Sequence, residues 1–286
     1  MQRAPQGASS YWDERVNKFE KTLAKNLLNL DIPAVNVPYE PQYWFDHSKY
    51  VLRLMLLRYS RGDPIEVLDQ YFPLLLNGWE RSNEWIERLR QAGDEAPRRG
   101  WVFDLHNLNH YNWCFWLVGL ALILNVSDGE WKRLIDLVES AGNDALLDRV
   151  IQTRQSERVI NVSVLHPKPY ARLLKAIDAP KIAQAELLRD FVSHWYPELA
   201  RSGREELWWY IYGDPVKHPL SMGSYFGRWC IEAAVVAKVF GIDDSLCLGL
   251  EHYPGDLLRP NGPSTHARKT NTAEQGFFRK LLNRLR

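Results

Sequence analysis

His106 and His110 stand four residues apart, a spacing that puts two imidazoles on one helical face, as in some zinc sites. The companion glutamate of a His-Glu-x-x-His motif is missing, no third ligand declares itself, and Asp104 is too near in sequence to serve. The plainer reading is a pair of hydrogen-bonded histidines beside Asn107 and Asn109 at a helix start. Arg228 and Glu232 are likewise four apart, in a stretch that is otherwise apolar, sharing a face with Val235 and Val239. A buried carboxylate there is either a general acid or base or, more simply, an ion pair or a polar link between helices; an unpaired charge would be costly, so a partner is expected. Asp243, Asp244, Glu251 and Asp256 are oxygen donors for a cation in number but not in pattern, because the alternating spacing of a calcium loop is absent. Asp243 or Asp244 as the N-cap of a following helix explains the pair without a ligand. Walker, Gly-x-Gly-x-x-Gly, Gly-x-Ser-x-Gly and Cys-x-x-Cys motifs are missing. The expectation is no catalytic residues, no cofactor and no metal.

Length and charge narrow the class. A chain of 286 residues makes one large domain or two small ones, and 45% hydrophobic with 25% charged residues is ordinary for a globular protein. The 12 Trp and 13 Tyr imply thick aromatic packing layers and a supply of side chains favoured at binding surfaces. The formal net charge of +1 is unevenly placed: residues 268–286 hold six Lys or Arg against Glu274, which leaves 34 acidic and 30 basic residues in 1–267. A nucleic-acid binder shows the opposite, a strongly basic body, so direct nucleic-acid binding is not expected. No apolar run of about 18 residues predicts a membrane span, and the N-terminus has no signal-peptide core. Cys114, Cys230 and Cys247 are few, odd in number and set largely in apolar stretches, which favours packed thiols in the cytoplasm.

Helical periodicity dominates, and the fold class expected is all-α. Helices are predicted over 10–29, from Pro41 to Gly62, after an Asp63-Pro64 cap, over 104–124 with a stop at Asn125, and after a Ser127–Glu130 capping box. Pro73 is expected to kink or split its helix. Residues 161–169, with Pro167 and Pro169, read as a linker, followed by helices near 170–177, 180–200, 204–212, 222–240 and 244–251. This gives two packed helical regions, 1–160 and 161–260, and a flexible basic tail, 261–286, ending in a short amphipathic helix with Phe277, Phe278, Leu281, Leu282 and Leu285 on one face. Two internal echoes, 113–128 with 229–244 and 69–82 with 193–206, suggest a duplication.

The segment 224–257 closely resembles the C-terminal signature of the PoNe immunity protein (PoNi) family. The resemblance is carried by Phe226-Gly227-Arg228-Trp229, Glu232-Ala233-Ala234, Ile242-Asp243-Asp244-Ser245 and Tyr253-Pro254-Gly255-Asp256-Leu257, in that order. A looser match opening at Tyr11-Trp12 extends it over roughly residues 8–260. The resemblance implies a helical, cytoplasmic, non-enzymatic antitoxin whose partner is a cognate DNase toxin delivered between competing bacteria, for example by type VI secretion. It also implies that Arg228, Trp229, Glu232, Gly241, Asp243, Tyr253, Pro254 and Asp256 are scaffold, since a motif shared by proteins with different partners serves the fold first. Acidic stretches at Asp94-Glu95, Asp128 with Glu130, Glu205-Glu206 and Asp243-Asp244 are the expected toxin contacts. Two rivals remain: a metal-dependent hydrolase using His106 and His110, and a membrane-associated adaptor working through the tail.

Overall fold

A computed structural model describes residues 1–28, 39–93, 104–139 and 141–266. Among these residues the chain forms α-helices and short 3-10 turns, with no strand. The helices are α1 (Ser9–Leu28), α2 (Glu40–Arg61), α3 (Phe72–Gln91), α4 (Leu108–Leu124), α5 (Asp128–Val138), α6 (Ala145–Gln152), α7 (Pro167–Asp178), α8 (Lys181–Glu198) and α9 (Ile231–Phe240).

The centre is α4, apolar around nearly its whole circumference and buried from Tyr111 to Ile123, as a helix without a polar face must be. α1, α2 and α3 pack in series, α7 and α8 form a hairpin that meets α9, and α9 lies against α4. One continuous core runs from Ala4 to Leu257, so both helical regions share it. α4 and α9 lie parallel: Ile231 and Val235 pack on Gly119, and Lys238 Nζ donates to the Leu122 and Ile123 carbonyls (3.0 and 2.8 Å), occupying acceptors that the end of α4 leaves open.

Local stop and start signals behave as read. Asn125 and Gly241 both adopt the left-handed conformation, and the next residue's N–H returns to the earlier turn: Val126 to Ala121 O (3.1 Å) and Ile242 to Ala237 O (3.0 Å). Ser127 and Glu130 form a complete capping box on α5. This part of the first echo is structural. The second is not: Pro73 opens α3, where a missing N–H is harmless, whereas Pro197 lies in the last turn of α8.

Several expected elements are shorter or absent. After Asp63-Pro64 come two 3-10 turns, Ile65–Val67 and Asp69–Tyr71, and Pro73 starts a helix instead of breaking one. α4 begins at Leu108, capped by Asn107. Residues 204–212 form a 3-10 turn and further turns, because Asn109 reaches across to accept from the Trp208 N–H (3.1 Å) and donate to the Glu206 carbonyl (3.3 Å). The 222–240 helix starts only at Ile231. Gly227 (φ 100°) brings the chain so close to its surroundings that an added Cβ would meet Ser60 Oγ at 2.4 Å. Residues 244–251 contain only the 3-10 turn Ser245–Cys247. The linker read at 161–169 is pinned: Leu165 N–H donates to Asp144 Oδ2 (2.7 Å) and Ala145 N–H to Ser163 O (2.9 Å). The tail from 267 onward lies outside the described residues.

α2 and α3 meet closely at Gly78, where a Cβ would stand 2.6 Å from Ser48 Oγ and 3.2 Å from the Trp44 carbonyl oxygen. Ser48 is itself held by the Leu75 carbonyl (2.8 Å). Gly78→Val is therefore expected to cost about 1–3 kcal/mol by overpacking, measured as a lower denaturant midpoint. An unchanged midpoint would show that the α2–α3 contact yields.

Candidate functional site

The signature segment is tied down at three points. Ser60 Oγ at the end of α2 donates to Phe226 O (2.7 Å) and accepts from Trp229 Nε1 (2.8 Å), while the Trp229 ring stands edge-on to Tyr59. Asp256 takes Arg3 Nε at 2.7 Å and both the N–H and hydroxyl of Thr265 (2.6 and 2.8 Å). Burial opposes its charge, but these hydrogen bonds prevail and hold the carboxyl below its ordinary pKa. Asp244 accepts from Tyr253 Oη (2.6 Å) and Arg259 NH1 (2.8 Å) and is likewise held low against burial. Pro254 is buried with them. Asp244 is thus an anchor between the end of α9 and residues 253–259, and its side chain caps no helix. Asp243 makes the local contact, accepting from the Ser245 N–H (2.9 Å) and hydroxyl (3.0 Å).

Glu232 is completely buried. Its Oε1 accepts from Tyr170 Oη of α7 (2.8 Å), Trp195 Nε1 of α8 (3.3 Å) and, at the limit of contact, Asn112 Nδ2 of α4 (3.5 Å). One carboxyl joins four helices. Burial pushes its pKa up to about 7 against hydrogen bonds that lower it. That value suits a general acid or base, but solvent does not reach the group. Arg228 is not its partner: it precedes α9, lies over the Tyr196 ring (4.6 Å) and donates to Tyr212 O (2.9 Å). Facing one another at that spacing required one helix through both, and Cys230 interrupts it: its backbone is non-helical (φ −76°, ψ 73°) and its N–H donates to His252 O (2.8 Å).

A second polar centre was not recognised from sequence. Asp144 caps α6 by accepting from the Leu146 and Leu147 N–H groups (3.0 and 2.7 Å) and also accepts from Tyr111 Oη (3.0 Å). One turn on, Asp148 pairs with Arg158 Nε at 2.8 Å, both side chains almost inaccessible. The legible signal was Asp144 before Ala-Leu-Leu, an N-cap pattern; nothing local marks Arg158.

The two histidines do not share the helical face that the rival metal-site reading needed. His106 precedes α4 and is exposed, so it does not share a helical face with His110, which packs against Phe45 while its Nδ1 accepts from the Asp104 N–H (3.0 Å). His106 instead lines a hollow of about 330 Å³ with Asp104, His166, Arg201 and Glu205. Among the described residues no group of three or more His, Cys, Asp or Glu side chains is placed to hold a metal ion. A larger hollow of about 550 Å³ lies between the ends of α4 and α9; its cations are engaged, Lys238 with the α4 carbonyls and Arg259 with Asp244.

The predicted contact acids do not converge. Asp94 and Glu95 lie outside the described residues. Glu205 and Glu206 are exposed near the start of α4, whereas Asp128 and Glu130 follow its end, about 25 Å away along a 17-residue helix. Asp243 is exposed, and Asp244 is buried in its ion pair and cannot be a surface contact.

This is an all-α scaffold whose buried polar clusters fasten helix to helix. The chain belongs to the PoNe immunity protein (PoNi) family: the model of the family's N-terminal region matches residues 8–136 and that of its C-terminal region matches 142–257. Membership gives it the role of an immunity protein and a toxin as its partner. The crystal structure of protein PA2201 from Pseudomonas aeruginosa is similar over 91% of each chain, with a TM-score of 0.67 at 18% identity, a likeness of fold. No curated protein matches the sequence. No helix of the described residues is long and apolar enough to cross a membrane.

Proposed function

We propose that this protein binds a cognate PoNe-type DNase toxin in the cytoplasm of the producing cell and occludes its DNA-binding or active site. Such a toxin would arrive from a competing neighbour, by type VI secretion or a related route. The observation that carries the reading is the ordered match of both family regions over residues 8–257. The physical chemistry agrees with it. A nuclease gathers phosphate with basic side chains, and a body with 34 acidic and 30 basic residues competes for that surface and speeds association. Occlusion needs a rigid scaffold with a few buried anchors and no catalytic group.

The test is rescue. The toxin encoded beside this chain is expressed in a susceptible cell with and without it, and genomic DNA integrity is followed alongside the stoichiometry of the purified pair. Intact DNA and a stable one-to-one complex are expected. Degraded DNA with no complex would overturn the pairing.

A further inference from the structure

We propose that residues 157–163 form the edge by which this protein grips its toxin: a rigid display of aliphatic side chains beside an acidic rim, fitted to a basic protein surface with an apolar recess. The proposal rests on the immunity role and adds the surface to it.

Val159, Ile160 and Val162 are 64%, 38% and 98% exposed. Single exposed aliphatics are ordinary; three β-branched ones within four residues form a patch of the kind that marks an interaction site. The backbone beneath them is held in place. Arg158 turns inward to its ion pair with Asp148. Asn161 donates from its side chain to Gly142 O (2.7 Å) and from its backbone to Asp148 Oδ2 (3.4 Å), and it accepts from the Ser163 N–H (3.1 Å). A buried ion pair therefore fixes a loop whose apolar side chains face water. That is costly for the free protein and favourable for a complex, because a loop ordered in advance loses less freedom on binding.

The charge around the patch names the partner's sign. Val159 lies against Gly142, where a Cβ would stand 3.3 Å from Val159 Cγ1, and so the patch adjoins the end of α5. The cations on this side are matched: Lys132 pairs with Asp136 (2.6 Å) and Arg154 with Asp128 (2.7 Å). Glu139 and Glu157 are exposed and make no ion pair among the described residues. The rim is acidic, which complements the basic surface of a nuclease and steers its approach, while the aliphatic residues supply the desolvated centre that carries most binding energy.

The test titrates a nuclease-inactive form of the toxin encoded beside this chain with the full-length protein. Val159→Asp/Val162→Asp is expected to weaken the complex about 30-fold or more with no change in the free protein's melting temperature, since both side chains face solvent. Val216→Asp, at an equally open site (88% exposed) on another loop, is expected to bind as wild type does. In the wild-type complex, amides 157–163 gain hydrogen-exchange protection. A double variant that binds within about threefold of wild type would overturn the assignment and leave the immunity role standing. Self-association of the free wild-type chain, abolished by the same substitutions, would overturn it by giving the surface to a second copy. No complex with wild type would overturn both.

Discussion

Arg158→Ala is expected to lower the stability of this protein by about 3–5 kcal/mol, the cost of leaving a buried charge without its partner. Both side chains of the pair are nearly inaccessible, at 3% and 1% exposure, and the contact is 2.8 Å. With the guanidinium gone, Asp148 retains only long hydrogen bonds from the Asp144 and Asn161 N–H groups (3.2 and 3.4 Å). Neither neutralises a carboxylate cut off from water. A fall in melting temperature on the order of 10 °C should result. The companion experiment separates the lost partner from the lost volume. Arg158→Met/Asp148→Leu replaces both charges with apolar groups and should recover most of the stability, because a well-packed apolar pair is often as good as a buried ion pair. A single variant within about 1 kcal/mol of wild type would mean that water reaches Asp148 on loss of the arginine.

The second large effect is a pH dependence carried by Glu232. Its folded pKa, pushed to about 7 by burial, lies above the ordinary 4.5. Between these values the folded chain keeps a proton that the unfolded chain has released, so stability falls as pH rises across this window. The contribution is full below pH 4.5 and is lost as pH passes through about 7. The shift corresponds to roughly 3 kcal/mol at about 1.4 kcal/mol per unit. His47, His110, His166, His252 and His266, whose pKa values burial lowers, act oppositely and stabilise the fold as pH rises toward 6.5. Glu232 is therefore read as a difference. Glu232→Gln keeps an acceptor for Tyr170 and cannot ionise, so its advantage over wild type should grow by roughly 2–3 kcal/mol between about pH 5 and pH 8. Denaturant titrations of both proteins across that range check this, and parallel curves would show that Glu232 is not the group responsible.

The helix ends were legible in the sequence because each is settled within a turn. Asn125 and Gly241 close helices through bonds to residues four or five back, and Ser127 with Glu130 opens one across three residues. The burial of α4 followed from its apolar circumference, and the need of Glu232 for a partner from the cost of an unpaired buried charge. The family signature gathered the residues that hold the C-terminal region together, Trp229, Asp244 and Asp256 among them.

Only the tertiary structure decided which groups those charges meet. Trp229 finds Ser60, Asp256 finds Arg3, and Glu232 finds Tyr170 and Asn112, all from distant parts of the chain. The same long-range contacts override local preference: Gly227 against Ser60 cuts short a helix that periodicity ran through, and Asn109 takes up backbone groups of 206–208 that a helix would otherwise have satisfied. The acidic stretches read as contacts lie apart among the described residues, because exposure is legible in composition while adjacency is not. Periodicity shows which face of a segment turns inward. What that face meets depends on how the helices pack, and so the ion pair under residues 157–163, with the aliphatic edge it holds outward, emerged only from the fold.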